Sequence, residues 1–388
     1  MTTKTTSSSP TPLTPPLLDE DRLSWLRLLR SRRVGIATFY RLMAEHGSAQ
    51  AALAELPHIA AAAGVTDYAP TDAARAVAEM KTASRFGARM VCRGEADYPP
   101  LLSTISDAPP LFWMRGDRAL LTQPMIAIVG ARNASGLGER TARMLATGLS
   151  EAGFVVVSGM ARGIDGVAHD AALEKGTAAV LAGGIDVVYP RQNDGLYKHI
   201  AEKGVLISEQ PMGLPPQARH FPTRNRLISG MARGLIVIEA ASRSGSLITA
   251  RDAGDQGREV MAVPGHPFDA RASGCNMLIR DGATLVRNVE DVLEIIGPVD
   301  TERPSFEFAE PEPDELVPPK PAPTKRPAMA QIKLHDRILA RLGPSPVSED
   351  QLLRDLALPS GEVAPALIDL ELEGRVLRQP GGLLSTRI

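Results

Sequence analysis

Six short apolar runs lie between Pro124 and Gly297, each followed by a glycine-containing turn and a stretch with helical spacing. The runs are MIAIVG, FVVVSG, TAAVLAGG, GVLISE, GLIVIEA and EVMAVPG. Continuous apolar character is typical of strands that are covered on both faces, as the strands of parallel sheets are. The pattern therefore predicts an α/β fold with an extended, Rossmann-like, doubly wound parallel sheet.

Ligands of such sheets bind beyond the carboxyl ends of the strands, so the loops after these runs should converge on one site. The first loop, VGARNASGLGERTA, lacks the G-x-G-x-x-G spacing of a dinucleotide site. It offers Gly130 for close backbone approach, Arg132 on the turn, and Ser135 as a candidate N-cap of a helix whose start attracts anions. We expect this loop to bind phosphate.

The second loop, SGMARGIDGVAHDAAL, repeats this design, with Gly159 and Gly163 on either side of Arg162. The helix that follows carries Asp165 and His169 four residues apart, on one face. Such a pair suits acid–base chemistry, but two ligands are too few for a metal site. We favour a role in helix capping and loop bracing over catalysis.

The fifth run is followed by small hydroxyl residues and a glycine at a predicted helix start, Ser242, Ser244, Gly245 and Ser246. Such a segment suits an anion, but it contains no G-K-[ST], so ATP hydrolysis is not predicted. Seven arginines and three acidic residues lie between residues 219 and 258, and no lysine does. Arginine binds phosphate oxygens bidentately and stacks on bases, which favours nucleic acid over a bare phosphate.

Within this basic segment, FPTRNRLISG places Phe221 beside Arg224 and Arg226. An aromatic ring interleaved with arginines is typical of single-stranded nucleic-acid sites, where bases stack on rings and arginines follow the backbone. The alternative is that Phe221 belongs to the core and that one arginine pairs with Glu209 or Glu239.

Nine motifs between Tyr98 and Ala283 resemble those of the DNA-processing protein A family (DprA, also called Smf), in the same order: YPPLL…DAPPLFWMRG, AIVGARNASGLG, VVSGMARGIDGVAH, AGGIDVVYP, LISEQPMG, FPTRNRLISG, EAASRSGSLITARDA, VPGHP and SGCNMLIRDGA. The resemblance implies a protein that binds single-stranded DNA, forms a homodimer, protects incoming DNA and helps to load RecA during natural transformation. It implies no chemical reaction. Together, the loops and the resemblance give a candidate DNA-binding set: Gly130, Arg132, Ser135, Gly159, Arg162, Asp165, Phe221, Arg224, Asn225, Arg226, Ser244, Gly245 and Ser246.

A related Rossmann-like family of enzymes, the phosphoribohydrolases, is the alternative. Its members carry a PGGxGT loop followed by a glutamate that acts on a nucleotide N-glycosidic bond. The nearest counterpart in this chain is ASRSGSLITA, which lacks both the double glycine and the glutamate. That difference favours a DNA-binding protein that is not an enzyme.

Composition and charge limit the remaining possibilities. A formal net charge of −2 means that a nucleic-acid site must be a local patch. Two cysteines are too few for a disulfide framework, and they suggest a reducing cytoplasm. We expect no metal and no cofactor. We also expect no membrane association, because the first residues lack a signal-peptide core and no apolar run approaches the ~18 residues that span a bilayer.

The expected domains are a disordered tail (1–17), a helical SAM-like or helix-hairpin-helix-like domain (18–85), a Rossmann-like DNA-binding domain (86–297), a Pro-rich linker (298–330) and a winged-helix-like domain (331–388). Nine prolines between Pro298 and Pro327 predict an extended spacer. The predicted recognition helix of the last domain, residues 360–373, carries four acidic residues and no lysine or arginine. A helix that reads DNA should be basic, so we favour a protein-interaction or regulatory role there.

Overall fold

The structure, a computed structural model of the 388-residue chain, describes residues 15–299, 328–342, 347–356, 358, 360–379 and 383–386. Most of the expected tail and linker lies outside these ranges. The chain divides into two compact units, with the boundary between Arg303 and Pro304. Within the described residues, no helix is both long enough and apolar enough to cross a membrane.

The first unit begins with four helices: α1 (Asp19–Arg30), α2 (Ile36–His46), α3 (Ala49–Ala62) and α4 (Ala73–Phe86). Trp25 of α1 and Phe39 of α2 pack edge to face in their common core, with ring centroids 5.3 Å apart. Arg30 pairs with Glu79 of α4 at 3.0 Å. These helices share a hydrophobic cluster with part of the sheet, so the expected helical domain packs directly on the Rossmann-like domain.

The sheet has nine strands: β1 (Arg89–Cys92), β2 (Leu111–Gly116), β3 (Met125–Gly130), β4 (Val155–Ser158), β5 (Thr177–Val180), β6 (Val205–Ser208), β7 (Gly234–Ile238), β8 (Glu259–Ala262) and β9 (Thr284–Leu285). Their order is β1-β2-β6-β5-β4-β3-β7-β8-β9. Strands β3 to β9 are parallel, whereas β1 and β2 are antiparallel additions beside β6. All six predicted strands form, and the α/β fold is confirmed.

Seven helices cover the two faces of this sheet: α5 (Gly136–Glu151), α6 (Ile164–Ala172), α7 (Asp194–Lys203), α8 (His220–Met231), α9 (Ser246–Asp255), α10 (Ser273–Arg280) and α11 (Val289–Ile296). Alternate residues of β3 point to opposite faces, so Ala127 packs in the cluster with α8, α9 and α10, and Ile128 packs with α5, α6 and α11. Strands β4 to β6 lie on one side of β3, and β7 to β9 lie on the other. The order of the strands therefore reverses between β3 and β7, and this switch opens a crevice at their carboxyl ends.

The second unit contains α12 (Ala328–Arg341), β10 (Val347–Ser348), α13 (Glu349–Leu356), α14 (Ser360–Leu372), β11 (Val376–Gln379) and β12 (Leu383–Thr386). The strands pair antiparallel in the order β10-β12-β11. Ile338, Leu352, Leu367, Leu370 and Leu384 form the core that joins the helices to the sheet. Three helices and a small antiparallel sheet confirm the expected winged-helix domain.

Candidate functional site

Two cavities of similar size open at the carboxyl ends of the parallel strands. One measures about 640 Å³ and lies over the loops after β4 and β5. The other measures about 630 Å³ and lies between the loops after β3 and β7, at the crevice where the strand order reverses. Both cavities are lined by Arg132, Ala161, Phe221 and Arg224. The predicted loops therefore converge on one site with two compartments.

Helix α8 supplies the wall between the compartments. Its inward stripe consists of Arg224, Leu227, Ile228 and Met231, which are spaced as neighbours on one helical face. The three apolar residues pack on the sheet, but Arg224 lies at the end of the stripe where the strands stop. Pro222 is tolerated because it sits in the first turn, whose backbone N–H groups have no intrahelical partner.

Arg224 is a buried cation with unsatisfied donors. Only 6% of its surface is exposed, and its Nε and Nη1 atoms have no hydrogen-bond partner among the described residues. Burial lowers the pKa of Arg224 to about 10; the charge of Asp165 opposes this shift and that of Arg132 adds to it. A buried guanidinium with unpaired N–H groups is costly, and an anion in either cavity would satisfy it.

Asp165 braces the loop under this guanidinium. Its Oδ2 accepts the backbone N–H groups of Gly159 at 3.1 Å and Ala161 at 3.4 Å. Burial raises the pKa of Asp165, although the charge of Arg224 and these two hydrogen bonds act against that shift. Asn193 ties the same loop from the other side by donating Nδ2–H to the carbonyl of Ala161 at 3.1 Å. The loop-bracing interpretation of Asp165 agrees with these contacts.

The ring of Phe221 lies partly exposed at the border of both cavities. The Cζ of Arg132 stands 5.2 Å from the ring centroid, within the range of a cation–π contact. Tyr189, which is 48% exposed, approaches the same ring with centroids 5.7 Å apart and planes tilted by 56°. The site thus combines two aromatic rings with a guanidinium that lies over one of them.

The electrostatic character of the site is strongly positive. Six arginines line the two cavities, and five of these side chains are exposed: Arg132, Arg162, Arg191, Arg243 and Arg271. The only carboxylate among the described lining residues is that of Asp165, which is already engaged by backbone N–H groups. A chain with a net charge of −2 therefore carries a local basic surface at this edge of the sheet.

The loop after β7 approaches the loop after β3 through a serine. Ser246 donates its hydroxyl to the carbonyl oxygen of Gly130 at 2.9 Å, and its backbone N–H reaches the Ser244 hydroxyl at 3.3 Å. Ser244, Gly245, Ser246 and Asn225 all line the 630 Å³ cavity. A side chain at Gly130 would stand 1.9 Å from the carbonyl oxygen of Ile238. Close strand packing therefore explains Gly130 without any ligand.

The expected phosphate site at the start of α5 is occupied by the protein itself. Ser135 is the N-cap, as predicted, and its hydroxyl accepts from the N–H of Gly138 at 3.0 Å. The carboxylate of Glu239 accepts the backbone N–H of Ser135 at 2.8 Å and its hydroxyl as well. Because this carboxylate already satisfies the positive helix end, Ser135 is a structural cap and does not line either cavity.

Arg226 also departs from the sequence expectation. It is buried and turns away from Arg224, to pair with Glu209 at 2.5 Å and to donate to the carbonyl of Asp107 at 2.6 Å. Burial raises the pKa of Glu209, against the charge of Arg226. One part of the alternative is therefore found, because one arginine of FPTRNR pairs with Glu209 and lies outside both cavities. The other part is not, because Phe221 is partly exposed and lines both cavities.

His169 lies one helical turn beyond Asp165 but does not reach the cavities. Its Nδ1 lies 2.7 Å from the hydroxyl of Thr177, which donates to the carbonyl of Val156. Burial, together with the charge of Arg224, lowers the pKa of His169 to about 3. His169 is fully buried and lines neither cavity, so the structure does not place it for acid–base chemistry together with Asp165.

The predicted DNA-binding set lacks four aromatic or cationic side chains that line the site, namely Tyr189, Arg191, Arg243 and Arg271. Tyr189 and Arg191 flank the proline of VVYPRQN, which follows β5. A signal was available, because the loop after every parallel strand should contribute to the carboxyl edge. The predicted set contains side chains from the loops after β3, β4 and β7 and from the segment before β7, and none from the loop after β5.

Comparison with protein families gives three matches along the chain. Residues 89–297 match DNA recombination-mediator protein A, residues 19–82 match a DprA-like N-terminal HHH domain, and residues 319–382 match a DprA winged helix domain. The resemblance drawn from the sequence motifs is confirmed.

Comparison with individual proteins agrees. Protein Smf of Escherichia coli strain K12 is 37% identical over 299 residues, which is 75% of each chain. The X-ray structure of DNA processing protein A from Streptococcus pneumoniae superposes with a TM-score of 0.55 at 40% identity, over 58% of this chain and 78% of that one. A structure described as giving insights into the unique single-stranded DNA binding mode of DNA processing protein A from Helicobacter pylori matches with a TM-score of 0.50 at 28% identity. The match covers 53% of this chain and 94% of that one.

Proposed function

Since this chain belongs to the DNA recombination-mediator protein A family, we propose that it binds single-stranded DNA in the two cavities at the carboxyl edge of its sheet. In this proposal Arg224 binds a phosphate of the strand, Arg132 a neighbouring phosphate, and Phe221 stacks on a base. Arg162, Asn225 and the Ser244–Ser246 loop contact the backbone on either side. Asp165 and Gly159 hold the loop that supports Arg224.

The observation that carries the proposal is the unpaired, buried guanidinium of Arg224 between the cavities. A free phosphate would satisfy its donors but would leave both cavities and the ring of Phe221 unused. A nucleotide strand uses all three, because each phosphate is flanked by bases that need apolar or aromatic surface. Cavities that enclose bases also favour a single strand over a duplex, whose bases are already stacked and paired.

We further propose that binding serves recombination without catalysis: the protein acts as a homodimer in the cytoplasm, protects incoming single strands and helps to load RecA during natural transformation. The family description as a recombination mediator supports this role. Against the phosphoribohydrolase alternative, the nearby carboxylates are engaged, since Asp165 binds backbone N–H groups and Glu239 caps α5. Neither is left free to act on a glycosidic bond.

The test is a salt titration of binding to a fluorescent oligo-dT and to a duplex of equal length. The parent should prefer the single strand. Arg224→Ala and Arg132→Ala should each weaken binding and make the slope of log K against log[salt] less negative by about 0.7, the value for one phosphate contact with a single strand. Arg143→Ala is the control, because this exposed arginine of α5 pairs with Asp170 and does not line the cavities. Parental slopes in both variants would exclude the proposed pocket.

RecA loading requires a separate measurement. RecA-catalysed strand exchange on DNA coated with a single-strand-binding protein should begin sooner when the parent is added, and Arg224→Ala should remove most of that effect. A chain that ends at Pro298 should keep its single-strand affinity, because the proposed contacts all lie in the first unit. Loss of all DNA binding on that truncation would contradict the assignment to the sheet loops.

A further inference from the structure

We propose that Phe268, in the loop between β8 and α10, is a second stacking surface for the same DNA strand outside the two cavities. This inference rests on the proposed function, since it extends the path of a strand that first enters the Arg224 site. The ring of Phe268 is 93% exposed, which exceeds the exposure of every other large apolar side chain in the described residues. An aromatic ring that is fully solvated in the free protein has an apolar surface to bury on binding.

Contacts with neighbouring residues hold the ring of Phe268 and its loop in place. Its centroid lies 5.5 Å from that of His266, with planes tilted by 42°, and its backbone N–H donates to the His266 Nδ1 at 3.3 Å. Asn276 of α10 holds the start of the loop through two hydrogen bonds with the backbone of Gly265, at 3.2 Å and 3.0 Å. The two rings therefore form a fixed aromatic surface.

The same loop is joined to the loop after β7. The N–H of Gly274 donates to the carbonyl of Ala240 at 2.7 Å, and the N–H of Ser242 donates to the hydroxyl of Ser273 at 3.0 Å. The loop after β7 continues into the Ser244–Ser246 segment, which lines the 630 Å³ cavity. Phe268 is thus carried by a segment that borders the proposed DNA site.

Positive charge lies between the 630 Å³ cavity and the loop that carries Phe268. Arg271, three residues after Phe268, lines the 630 Å³ cavity together with Arg243 and Arg224. Asp269 pairs with Arg271 at 3.1 Å and offsets part of its charge, but Arg243 has no carboxylate within 4.0 Å among the described residues. Because Arg271 and Phe268 belong to one loop, a strand that leaves the cavity past Arg271 reaches the loop that carries this ring. Cations followed by an exposed aromatic ring are the groups of a single-strand track.

The surroundings favour a nucleic acid over an apolar protein partner. Within the loop from residue 264 to residue 272, Phe268 is the only large hydrophobic side chain that is exposed, and its neighbours are a histidine, an aspartate and an arginine. A protein-docking patch needs contiguous apolar area. A nucleic-acid base, by contrast, can stack on a single ring, while cations beside the ring bind the phosphates of the backbone.

The experiment compares oligo-dT strands of two lengths on the parent, Phe268→Leu and Phe268→Tyr. A strand of about 4 nucleotides should fill the cavities alone, whereas one of about 20 nucleotides should also reach the second surface. Phe268→Leu should weaken binding of the long strand by about 5-fold to 150-fold, which corresponds to the usual cost of losing one base–aromatic stack. It should leave affinity for the short strand unchanged. Phe268→Tyr keeps the ring and should match the parent on both.

Other outcomes would contradict one or both of the proposals. Parental affinity of Phe268→Leu for both strands would overturn the second surface and leave the proposed function intact. A parent that binds neither strand would overturn both proposals. Gel filtration and thermal melts of the same variants complete the test: a change of oligomeric state in Phe268→Leu, without selective loss of the long strand, would assign the ring to a protein interface instead.

Discussion

The guanidinium of Arg224 lies directly against the backbone of Gly159, so that a Cβ at residue 159 would stand 1.6 Å from Nη1. The backbone N–H of Gly159 is held by Asp165 at 3.1 Å, which fixes this approach. Glycine is needed here because any side chain would occupy the space of the guanidinium. Backbone conformation is not the reason, since the φ of Gly159 lies outside the left-handed region. The loop after β4 and the arginine of α8 therefore form one unit.

Gly159→Ala should displace the Arg224 side chain and weaken single-strand binding about as much as Arg224→Ala does. The effects of the two changes on the binding free energy should not be additive. A double variant should bind like either single variant, because both changes remove the same contact. Fluorescence anisotropy with oligo-dT on the four proteins gives the coupling energy.

Gly195→Ala is the matched control, because a Cβ at this glycine of α7 meets nothing within 4 Å. It should bind like the parent. Full additivity of Gly159→Ala and Arg224→Ala would mean that residue 159 affects binding by some route other than the position of this guanidinium.

Arg226→Ala should affect stability more than binding. Removing one partner of a buried ion pair leaves the other charge uncompensated, which costs about 3 to 5 kcal/mol of unfolding free energy. Here the stranded group is Glu209, whose side chain is 13% exposed. Denaturant unfolding should show the loss, while the salt slope of DNA binding, measured well below the melting temperature, stays parental.

The double variant Arg226→Met with Glu209→Leu separates charge from packing. It removes both charges and keeps apolar volume, so it should recover much of the lost stability. If Arg226→Ala instead melts like the parent and lowers the number of counterions released on DNA binding, the sequence prediction of a DNA contact at Arg226 holds and the ion pair does not exclude it.

Phe221 offers a test of stacking against charge. Phe221→Leu keeps apolar volume but removes the ring, and it should cost ~1 to 3 kcal/mol of single-strand affinity with an unchanged salt slope. Phe221→Tyr keeps the ring, and the partial exposure of residue 221 leaves room for the hydroxyl to meet water, so its affinity should be close to parental. A Leu variant with parental affinity would show that FPTRNR recognises the strand through Arg224 and Asn225, without base stacking on residue 221.

The strands could be predicted because continuous apolar runs leave few other solutions for a chain of this length. β2 and β9 are not among the six predicted strands, because proline-rich residues precede the run LFWMRG of β2 and because β9 has only two residues. Convergence of the loops followed from the parallel order alone. Local sequence therefore determined which edge of the sheet carries the site.

The individual roles depend on partners far away in the chain. Arg224 and Arg226 are alike in local sequence. Arg226 is held outside the site by Glu209, 17 residues away, and by Asp107, 119 residues away. Ser135 has the expected capping geometry, but Glu239, 104 residues further along the chain, takes the place of the phosphate. Helical spacing from the apolar residues Leu227 and Ile228 was the one local signal that Arg224 faces inward.

The buried His169 should give the protein a defined acid sensitivity. Its pKa in the folded state is lowered to about 3 from an ordinary value of 6.5. Between these values the unfolded chain binds one more proton than the folded protein at this residue, so stability is present above pH 6.5 and is lost as the pH falls toward 3. The expected contribution is about 1.4 kcal/mol per pH unit of unfolding free energy.

His169→Asn keeps a polar group near the Thr177 hydroxyl but cannot be protonated. Its unfolding free energy should be lower than that of the parent at neutral pH, because the smaller side chain leaves a void. As the pH falls, however, the two curves should converge, since the parent alone loses stability by protonating His169 in the unfolded chain. Denaturant unfolding at a series of pH values between 7 and 4 measures both slopes. Parallel curves would show that His169 is protonated in the folded protein as readily as in the unfolded chain, and that the enclosure beside Arg224 and Thr177 is not maintained in solution.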